Sequence, residues 1–452
     1  MVVGVRASAG ERGFACESGL NRLPRVRQRP VEAQAPGHSE LPPASRRCKV
    51  LIAGAGPAGI ATALYLLHLR PELSGEIVAL EKRRHPRAKV CAGGLIPRTL
   101  QSLAELGLEL GVPSVAVVRG RAMTEIGAFE HVREQALCTI VRRDEFDHWL
   151  ADAAKARGLR LYENAAVQHV ALGQRGVSVA SDRGVFCADV LVGADGSSSK
   201  VRGALFGAMK SAVGRALTAD LPLGARFSEE FASRLYRFDF RCVGWGIKGY
   251  AWSFPCLIGG QPHLNVGVYD QTPHATVGGK AAKPRLDEAL RRSFPELKLD
   301  GPAPDGRLFK GAPIRWHDAA ARFAHGRVLL AGDAAGVDPM MGEGISIAFE
   351  HGKLAALAIA RLLDGDERAP ADYDRALHVG PIGRKLNRLA SAARHFYGSR
   401  HRFFLRVMAA SRPAREIGLD WYNGVGRLDE LRTGGVVIEW LRRLLLGEPY
   451  AR

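Results

Sequence analysis

The sequence lacks most of the patterns that mark membrane, metal-binding or disulfide-rich proteins. It has no run of eighteen apolar residues, so no membrane-spanning helix is predicted. Its seven cysteines are scattered and form no CxxC pair, which favours a reduced, cytoplasmic protein over a disulfide framework or a zinc site. The fourteen histidines form no HExxH motif, and no GxSxG motif, P-loop or EF-hand is present. We therefore predict no metal site.

Positive charge is in excess along the whole chain. Lys and Arg number 64 against 46 Asp and Glu, a formal net charge of +18. Such an excess favours anionic partners, namely phosphate-bearing cofactors, anionic lipid surfaces or nucleic acid. Only 13 of the 64 are Lys, however, and Arg-rich usage throughout a chain is also typical of genome composition. Because no RNA- or DNA-binding signature is present, we predict no nucleic-acid partner.

Residues 1–47 differ in composition from the rest of the 452-residue chain. They lack the apolar core of a signal peptide and hold few large apolar residues. We expect a disordered leader or an over-extended gene start. The remaining length suffices for two or three domains with a large core.

A complete βαβ unit is predicted directly after the leader. The buried strand Lys49–Ala53 runs into Gly-Ala-Gly-Pro-Ala-Gly at residues 54–59, and an apolar helix follows over 57–69. A second strand over 77–80 ends at Glu81, 22 residues after the third glycine. Glu81 is thereby placed to accept hydrogen bonds from the ribose hydroxyls of a dinucleotide.

The three glycines of this turn each have a separate role in binding a dinucleotide. Gly54 permits the tight turn, Gly56 lets the backbone approach a pyrophosphate, and Gly59 lets the helix pack closely on the sheet. The N-terminus of the helix then faces the phosphates.

A second GxGxxG match, at residues 244–249, does not have this context. It is followed by Tyr-Ala-Trp-Ser-Phe-Pro, which does not begin a helix. We therefore reject it as a nucleotide site and predict one dinucleotide fold. An external reductant must then dock transiently.

Two later segments favour FAD over NAD. Asp195-Gly196 follows a predicted strand, and Gly332-Asp333 follows another and leads to a helix start at Gly342-Glu-Gly344-Ile345. Asp333 can hold a ribityl hydroxyl, and the amides of 342–345, at the positive end of a helix, can face the flavin pyrimidine. One Asp-Gly is usually an ordinary turn, but the three glycine-containing elements in this order form a more specific pattern.

These elements resemble flavoprotein hydroxylases of the p-hydroxybenzoate hydroxylase fold. Within that superfamily, Lys89-Val-Cys91-Ala-Gly93-Gly94 resembles the Cys-Gly-Gly segment of geranylgeranyl reductases. Tyr250-Ala-Trp252-Ser-Phe254-Pro255 resembles the Tyr-x-Trp-x-Phe-Pro element of the same family, and Gly267 its closing glycine. Ala92 stands where glycine is common in that family, which predicts a less permissive backbone there. The resemblance covers about residues 48–365.

The motifs and the resemblance together imply a set of FAD-binding residues. They are Gly54, Gly56, Pro57, Ala58, Gly59, Glu81, Lys82, Lys89, Cys91, Ala92, Gly93, Arg143, Val167 through its backbone, Asp195, Gly196, Gly332, Asp333, Gly342, Gly344 and Ile345.

A catalytic face is expected at Cys91, Tyr250 and Trp252, and a substrate pocket at Tyr250, Trp252, Phe254 and Pro255. Strand alternation places the three aromatic residues on one face, where they form either an apolar wall or part of the core. The resemblance puts Cys91 beside the flavin, where it either relays a proton or only packs. Reduction of an isolated alkene needs a proton donor in a dry pocket, and Cys91 or Tyr250 could serve.

The predicted fold class is α/β, a Rossmann-like FAD-binding domain with an inserted antiparallel-sheet substrate domain and a helical C-terminal region. The FAD-binding domain is expected to be discontinuous. Its predicted segments are 48–95, 141–213 and 307–365; the substrate domain takes 96–140 and 214–306, and the helical region 366–452.

The C-terminal region is basic and amphipathic. Arginines alternate with aromatic residues from 378 onward, and a second such stretch occurs at 440–446. Such a region either lies on an anionic membrane surface or packs on its own domain. Peripheral contact with the inner membrane face is thus an alternative to a purely cytoplasmic location.

The expected activity is FAD-dependent reduction of isoprenoid carbon–carbon double bonds in a lipid or a prenylated small molecule. NADPH, NADH or ferredoxin would supply the electrons. The alternatives are a monooxygenase or a flavin-dependent halogenase, which share an aromatic element similar to residues 250–255, and a non-catalytic escort for prenylated partners. The intact flavin elements argue against the escort.

Overall fold

The computed structural model of the chain describes residues 46–174, 176–207, 213–224, 228–271, 286–299, 309–410 and Asn423. The predicted leader lies outside these ranges except for Arg46 and Arg47, which begin the first strand. The predicted amphipathic stretch 440–446 also lies outside them.

The strands of the described residues form three β-sheets. The strands are β1 (Arg46–Ala53), β2 (Ile77–Glu81), β3 (Gly94–Leu95), β4 (Ser114–Val117), β5 (Arg119–Thr124), β6 (Gly127–Val132), β7 (Cys138–Val141), β8 (Arg160–Glu163), β9 (Val167–Leu172), β10 (Val177–Ser181), β11 (Gly184–Gly193), β12 (Val213–Pro222), β13 (Leu235–Asp239), β14 (Gly249–Ile258), β15 (Gln261–Asp270), β16 (Lys310–Arg315), β17 (Ala324–His325) and β18 (Val328–Leu330).

Helices cover the faces of the sheets and form the C-terminal region. They are α1 (Pro57–Leu69), α2 (Pro97–Glu105), α3 (Arg143–Ala156), α4 (Lys200–Leu205), α5 (Glu229–Ala232), α6 (Leu286–Ser293), α7 (Ile345–Leu363), α8 (Ala369–Val379), α9 (Pro381–Phe396) and α10 (His401–Ala410).

The first sheet has eight strands and a parallel centre. Its order is β17-β18-β11-β1-β2-β8, and β9 and β10 continue from β11 as an antiparallel meander. β1 pairs in parallel with both β2 and β11, and β11 pairs in parallel with β18. The carboxyl ends of these strands therefore meet at one edge, where a doubly wound fold binds its ligand. This confirms the predicted Rossmann-like arrangement.

Helices α1 and α7 pack against each other on this sheet. Ten of the thirteen residues of α1 are buried, which accounts for its almost uniformly apolar sequence. The close approach depends on Gly352 of α7, because a Cβ there would lie 2.8 Å from the Thr62 amide nitrogen of α1. Both helices begin at the edge where the parallel strands end.

The second sheet has seven strands in the order β16-β12-β15-β14-β13-β5-β6. It is antiparallel, as predicted, except that β13 pairs in parallel with β5. β16 falls in the range 307–365 assigned from sequence to the FAD-binding domain, but its backbone pairs with β12 of this second sheet. That assignment needs correction: the strand extends the substrate sheet, and the chain returns to the first sheet at β17.

The range 96–140 supplies strands to two different sheets. β5 and β6 extend the seven-stranded sheet, whereas β4 and β7 form a small three-stranded sheet with β3. This small sheet places the loop before Gly94 beside both larger layers.

The rejected GxGxxG match is part of the substrate layer. Residues Arg241–Trp245 form a 3₁₀-helix, Gly246 is left-handed, and β14 begins at Gly249. A strand and not a helix follows this turn, so the turn lacks the helix N-terminus that a dinucleotide-binding turn provides.

The C-terminal region is helical over 369–410, as predicted. α8 packs on α7 and α9 packs on α8. α9 buries Ile382, Leu386 and Leu389, so its apolar face is directed at the protein itself. None of the helices in the described ranges has the length and apolarity needed to cross a bilayer.

Candidate active site

A cavity of about 820 Å³ lies between the two large sheets, at the carboxyl edge of the first. It is lined by most of the residues predicted from sequence: Gly54, Gly56, Pro57, Ala58, Glu81, Lys82, Lys89, Cys91, Ala92, Arg143, Val167, Asp195, Gly196, Tyr250, Trp252, Phe254, Gly332, Asp333, Gly342, Gly344 and Ile345. Gly59, Gly93 and Pro255 are not among its lining residues.

The turn between β1 and α1 has the conformation that the glycine pattern predicts. Gly54 has φ +100°, and a Cβ there would lie 2.3 Å from the Ala194 carbonyl oxygen. A Cβ on Gly59 would lie 1.9 Å from the Gly54 carbonyl oxygen, so Gly59 sets the contact between helix and strand. No larger residue fits at either position.

Gly56 has a different environment, because it opens into the cavity. The nearest atom to a Cβ at this position is an Arg87 guanidinium nitrogen at 3.5 Å. Gly56 is also the N-cap of α1, and no described side chain caps this helix end. Unpaired amides at the positive end of a helix suit a pyrophosphate.

Glu81 holds the turn in place. One oxygen of its buried carboxylate accepts the Ala55 N–H at 3.1 Å, and the other accepts the Arg83 N–H at 3.1 Å. A carboxylate can accept about four hydrogen bonds, so acceptor capacity remains on the cavity side. The predicted ribose contact is therefore compatible with these bonds.

Two arginines share one buried carboxylate beside the turn. Arg143 forms a bidentate pair with Asp147, at 2.9 and 3.2 Å, and Arg87 contacts the same carboxylate at 3.2 Å. Arg87 also reaches Glu81 at 3.4 Å. Burial lowers the pKa of Arg143, but Asp147 and the neighbouring Cys91 outweigh burial and raise it above its ordinary value. Both cations stay charged against the cavity.

Cys91 lies on a short loop that is anchored to β7. Gly93 has φ +79°, and a Cβ there would lie 1.9 Å from the Val141 carbonyl oxygen. Gly93, not Ala92, is therefore the residue that needs conformational freedom, and alanine at position 92 is tolerated. The Cys91 sulfur accepts the Gly93 N–H at 3.4 Å and is within hydrogen-bonding reach of Arg143.

At the Asp195-Gly196 turn, which follows β11, only one oxygen of the Asp195 carboxylate accepts hydrogen bonds from described residues. Asp195 Oδ2 accepts the amides of Lys200 and Val201 at 2.6 and 3.2 Å and so caps α4. Asp195 Oδ1 is buried and has no partner among the described residues. A buried acceptor without a partner is costly, which fits a donor supplied by a bound group.

A hydrogen bond to α7 holds the Gly332-Asp333 turn in place. The Gly332 N–H donates to His351 Nδ1 at 3.1 Å. Burial lowers the pKa of His351 to about 3, so the imidazole is neutral and can accept. Asp333 Oδ2 accepts the Ser197 hydroxyl at 2.9 Å, and Oδ1 faces Gly344 across the cavity wall.

The segment that precedes α7 lies close against the cavity. Gly342 has φ +67°, and Gly344 is the N-cap of α7. Glu343 caps the helix by accepting the Ser346 N–H and hydroxyl, each at 2.7 Å. The amides of Gly344 and Ile345 are left at the positive end of the helix, the position predicted to face the flavin pyrimidine.

Aromatic rings from the seven-stranded sheet form the opposite wall. Phe238 packs edge-on against both Tyr250 and Phe254, with ring centroids 5.1 and 5.3 Å apart. Tyr236 contacts Phe254 at 5.3 Å. Strand alternation puts Tyr250, Trp252 and Phe254 on the cavity face, as predicted, whereas Pro255 faces away and pairs with Leu264.

Trp252 is held by a chain of hydrogen bonds. Its indole N–H donates to Asn265 Oδ1 at 2.8 Å, and the Asn265 amide donates to Asp220 at 2.7 Å. Arg142 contacts the same Asp220 oxygen at 2.9 Å. The indole lies over Gly267, where a Cβ would be 2.1 Å from the ring, so Gly267 makes room for it. The tryptophan thus presents an apolar face to the cavity in a fixed orientation.

Tyr250 does not have the orientation expected of a proton donor. Its hydroxyl donates to the Met341 carbonyl oxygen, and burial raises its pKa well above the ordinary value. The ring lines the cavity, but the hydroxyl proton is hydrogen-bonded to a backbone carbonyl oxygen. This geometry favours a positioning role for Tyr250 over the predicted catalytic one.

The residues that line the cavity but were not singled out from sequence as binding residues include Arg87, Tyr236 and Phe238. Arg87 lies only four residues before Cys91, but its partner Asp147 is sixty residues away, so no local pattern reports the contact. Tyr236 and Phe238 alternate along β13 in the pattern of Tyr250 and Trp252, and that alternation is a signal that could have found them.

The donor set and the shape of the cavity fit FAD. An open glycine turn with two arginines suits the pyrophosphate, Asp333 suits a ribityl hydroxyl, and the amides before α7 suit the pyrimidine edge.

Comparison with known proteins agrees with this geometry. The chain is 29% identical over 330 residues to a menaquinone reductase of Mycolicibacterium smegmatis, with 69% of this chain and 76% of the relative covered. It is 26% identical to the chloroplastic geranylgeranyl diphosphate reductase of Oryza sativa, with 70% and 67% covered.

Two solved structures have the same fold. A geranylgeranyl bacteriochlorophyll reductase-like protein of Thermoplasma acidophilum superposes with a TM-score of 0.61 at 17% identity, covering 83% of this chain and 99% of that one. A flavin-dependent brominase superposes with a TM-score of 0.64 at 18% identity, covering 89% and 100%. Residues 47–375 match the FAD binding domain family. The chain therefore belongs to this family, and it is an FAD-dependent oxidoreductase of the geranylgeranyl reductase kind.

Proposed function

We propose that the protein reduces isoprenoid carbon–carbon double bonds of a lipid or a prenylated small molecule. The observation that carries the proposal is that one cavity has charged groups and backbone amides at one end and a wall of aromatic rings at the other. A long apolar substrate needs such a wall close to the redox centre. The similarity to a menaquinone reductase and to a geranylgeranyl diphosphate reductase supports a prenylated substrate.

In this proposal the cofactor is held by residues of several segments. The turn at 54–59 and Arg87 hold the pyrophosphate, Glu81 the ribose, and Asp333 the ribityl chain, while the 342–345 amides face the pyrimidine. Arg143 and the Val167 backbone complete the site. When bound, reduced FAD supplies a hydride. NADPH, NADH or ferredoxin restores its electrons.

Cys91 is the proton donor in this mechanism. With reduced FAD bound, one alkene carbon would receive the hydride that the cofactor supplies, and the Cys91 thiol would give its proton to the other carbon, so that two electrons and two hydrogen atoms saturate the double bond. Arg143, within hydrogen-bonding reach of the sulfur, stabilises the thiolate that remains until it is reprotonated from solvent. The aromatic wall excludes water and aligns the chain; Tyr250 contributes its ring and Trp252 its indole face.

The direct test is anaerobic incubation of the dithionite-reduced holoenzyme with prenyl diphosphates, prenylated quinones and archaeal-type lipids, followed by mass spectrometry. The expected product is heavier than its substrate by the two hydrogen atoms of one saturated double bond. If no prenyl compound gains hydrogen while air-saturated enzyme consumes oxygen and hydroxylates or halogenates an aromatic compound, the reductase proposal is wrong.

We also propose that α9 and α10 contact an anionic membrane surface. Residues 381–410 hold seven Lys and Arg and no Asp or Glu. Arg388 and Arg394 of α9 are exposed, and on α10 the Phe403 side chain is 47% exposed. Each exposed cation near such a surface contributes about 1 kcal/mol at low salt. The contact would bring the cavity to its lipid substrate.

Sedimentation with vesicles tests this contact. The protein should pellet with phosphatidylglycerol vesicles at low salt, and much less with phosphatidylcholine vesicles or at high salt. A double change, Arg388→Glu with Arg394→Glu, should abolish pelleting, whereas Arg157→Glu with Arg160→Glu, far along the chain in the first domain, should not. Equal pelleting with both lipids contradicts the proposal.

A further inference from the structure

The loop before α7 is bonded to the rest of the protein by three tyrosines. Tyr269 of β15 donates to the Pro339 carbonyl oxygen at 3.1 Å, and Tyr397 donates to the Met340 carbonyl oxygen at 2.9 Å. Tyr250 of β14 donates to the next carbonyl, that of Met341. Three successive carbonyls therefore receive three phenols from three separate elements. We call Tyr250, Tyr269 and Tyr397 the tyrosine clamp.

The amides of the same loop are fixed as well. The buried carboxylate of Asp338 accepts the N–H groups of Met340 and Met341 at 2.6 and 3.0 Å. The Gly342 N–H donates to the Asp338 carbonyl oxygen at 3.2 Å. Since Pro339 has no N–H, every backbone polar group of residues 339–341 has a partner. This set of hydrogen bonds leaves the loop little freedom to move.

The clamp acts on the peptides that lead directly to the flavin-facing amides. The Met341 carbonyl belongs to the same planar peptide as the Gly342 N–H, so the bond from Tyr250 orients that N–H. The bond from Tyr397 orients the preceding peptide in the same way. Met341 and Gly342 both line the cavity. Small rotations here would displace the amides that lie at the N-terminus of α7.

Tyr397 comes from a part of the chain that the family match does not include. The match ends at residue 375, whereas Tyr397 is the C-cap residue of α9. Its ring is 4% exposed and packs against Phe396, whose ring in turn contacts Phe240 of the aromatic cluster. The phenol is therefore held rigidly and directed at the loop.

We propose that Tyr397 is a positioning residue for the flavin, and that through it the C-terminal helical region sets the placement of the Gly344 and Ile345 amides. Tyr269 acts on the same loop from the substrate sheet. These amides stabilise negative charge on the pyrimidine edge, which is larger in the reduced state. A more mobile loop should therefore lower the midpoint potential of the bound flavin more than it lowers the affinity for FAD. This inference rests on FAD binding and does not depend on which substrate is reduced.

The test compares Tyr397→Phe with Tyr65→Phe in the holoenzyme. Both changes remove one buried phenol hydroxyl and keep the ring, but Tyr65 lies on α1 and donates to Glu105 at 2.9 Å, away from the loop. The readouts are the midpoint potential of the bound flavin, its absorption spectrum, the dissociation constant for FAD, and the melting temperature.

We expect Tyr397→Phe to make the midpoint potential more negative and to perturb the flavin spectrum. The equilibrium constant for reduction should fall about two- to tenfold, which corresponds to the loss of one hydrogen bond. Tyr65→Phe should leave both readouts unchanged. Tyr269→Phe should resemble Tyr397→Phe, and it serves as the second variant if Tyr397→Phe does not fold. If both loop variants lower the melting temperature but keep the wild-type potential and spectrum, the clamp is merely structural and the proposal is overturned.

Discussion

The two ends of the cavity recognise their ligands by different means. At the end formed by the first sheet, backbone turns and buried ion pairs provide the contacts: Gly54, Gly56, Glu81 and the Arg87–Asp147–Arg143 cluster. At the other end, the seven-stranded sheet presents aromatic side chains. A backbone turn tolerates almost no substitution, whereas an apolar wall tolerates changes of shape. Mutations at the first end should therefore abolish the binding of FAD, whereas mutations at the second end should change the affinity for the substrate by degrees.

The largest effect is expected from Gly56→Val. The added side chain would occupy the space through which the α1 amides reach the pyrophosphate, so FAD binding and every flavin-dependent step should be abolished. The flavin-to-protein ratio from the absorbance of the purified protein measures this. Gly203→Val is the control, because a Cβ at Gly203 meets no atom within 4 Å. A full flavin complement in Gly56→Val would refute the assignment of the turn.

Cys91→Ala should have the next largest effect, and only on the second half of the reaction. Turnover with a prenyl substrate should fall by a factor on the order of 10²–10⁴, as is usual for the loss of a general acid. Flavin reduction by the electron donor should be unchanged, since that step involves no alkene. Stopped-flow absorbance and product mass spectrometry separate the two steps.

Cys187→Ala provides the control for Cys91→Ala. Cys187 is a buried cysteine of β11 that does not line the cavity. Wild-type turnover in both variants would mean that Cys91 only packs. If turnover survives Cys91→Ala combined with Tyr250→Phe, the proton comes from water or from another group.

Trp252→Ala probes the apolar end and should have a smaller effect. Loss of the indole removes about 1.5–3 kcal/mol of apolar contact, so KM should rise about ten- to a hundredfold and selectivity for chain length should weaken. FAD content should stay at the wild-type level. Steady-state kinetics with prenyl substrates of different lengths provide the measurement. A large fall in FAD content with unchanged KM would contradict the division between the two ends.

Asp338→Asn should have the smallest effect, a change in how stability depends on pH. Burial raises the pKa of Asp338 from 3.8 to about 7, although the N–H groups of Met340 and Met341, which donate to this carboxyl, act to lower its pKa. The folded state thus binds a proton that the unfolded state has lost, so the protonated carboxyl stabilises the fold fully below about pH 4. This stabilisation is lost as the pH rises through about 7. Thermal melts across this range should show a decline in the wild type that is absent from the variant.

Local patterns predicted one part of this molecule closely. The helix expected over 57–69 is α1 at the same residues, and the strand expected to end at Glu81 is β2. A buried strand, a glycine turn and a helix are each specified by neighbouring residues, so the sequence alone suffices. Local patterns also brought most of the predicted binding residues to one cavity, because motifs at the ends of parallel strands must meet at one edge.

Contacts between segments that are distant in the sequence could not be predicted from such local patterns. The parallel pairing of β5 with β13 joins residues more than a hundred positions apart, and nothing in either strand specifies the partner. The short strands within 96–140 and the return of β16 to the second sheet were missed for the same reason. The clamp bonds from Tyr250 and Tyr397 are also long-range, so the sequence assigned a catalytic role to Tyr250 where the structure favours positioning.

The order of strands in the first sheet has a consequence for biosynthesis. β1 emerges from the ribosome early, but its neighbour β11 follows about 140 residues later, and β18 completes that side of the sheet only at residues 328–330. The residues proposed to bind FAD are spread along the chain in the same way, and those that line the cavity run from Gly54 to Ile345. N-terminal segments of a nascent chain usually fold first. Here the first βαβ unit has to wait for the third quarter of the protein, so the apolar face of α1 remains exposed during translation and flavin capture follows the synthesis of α7.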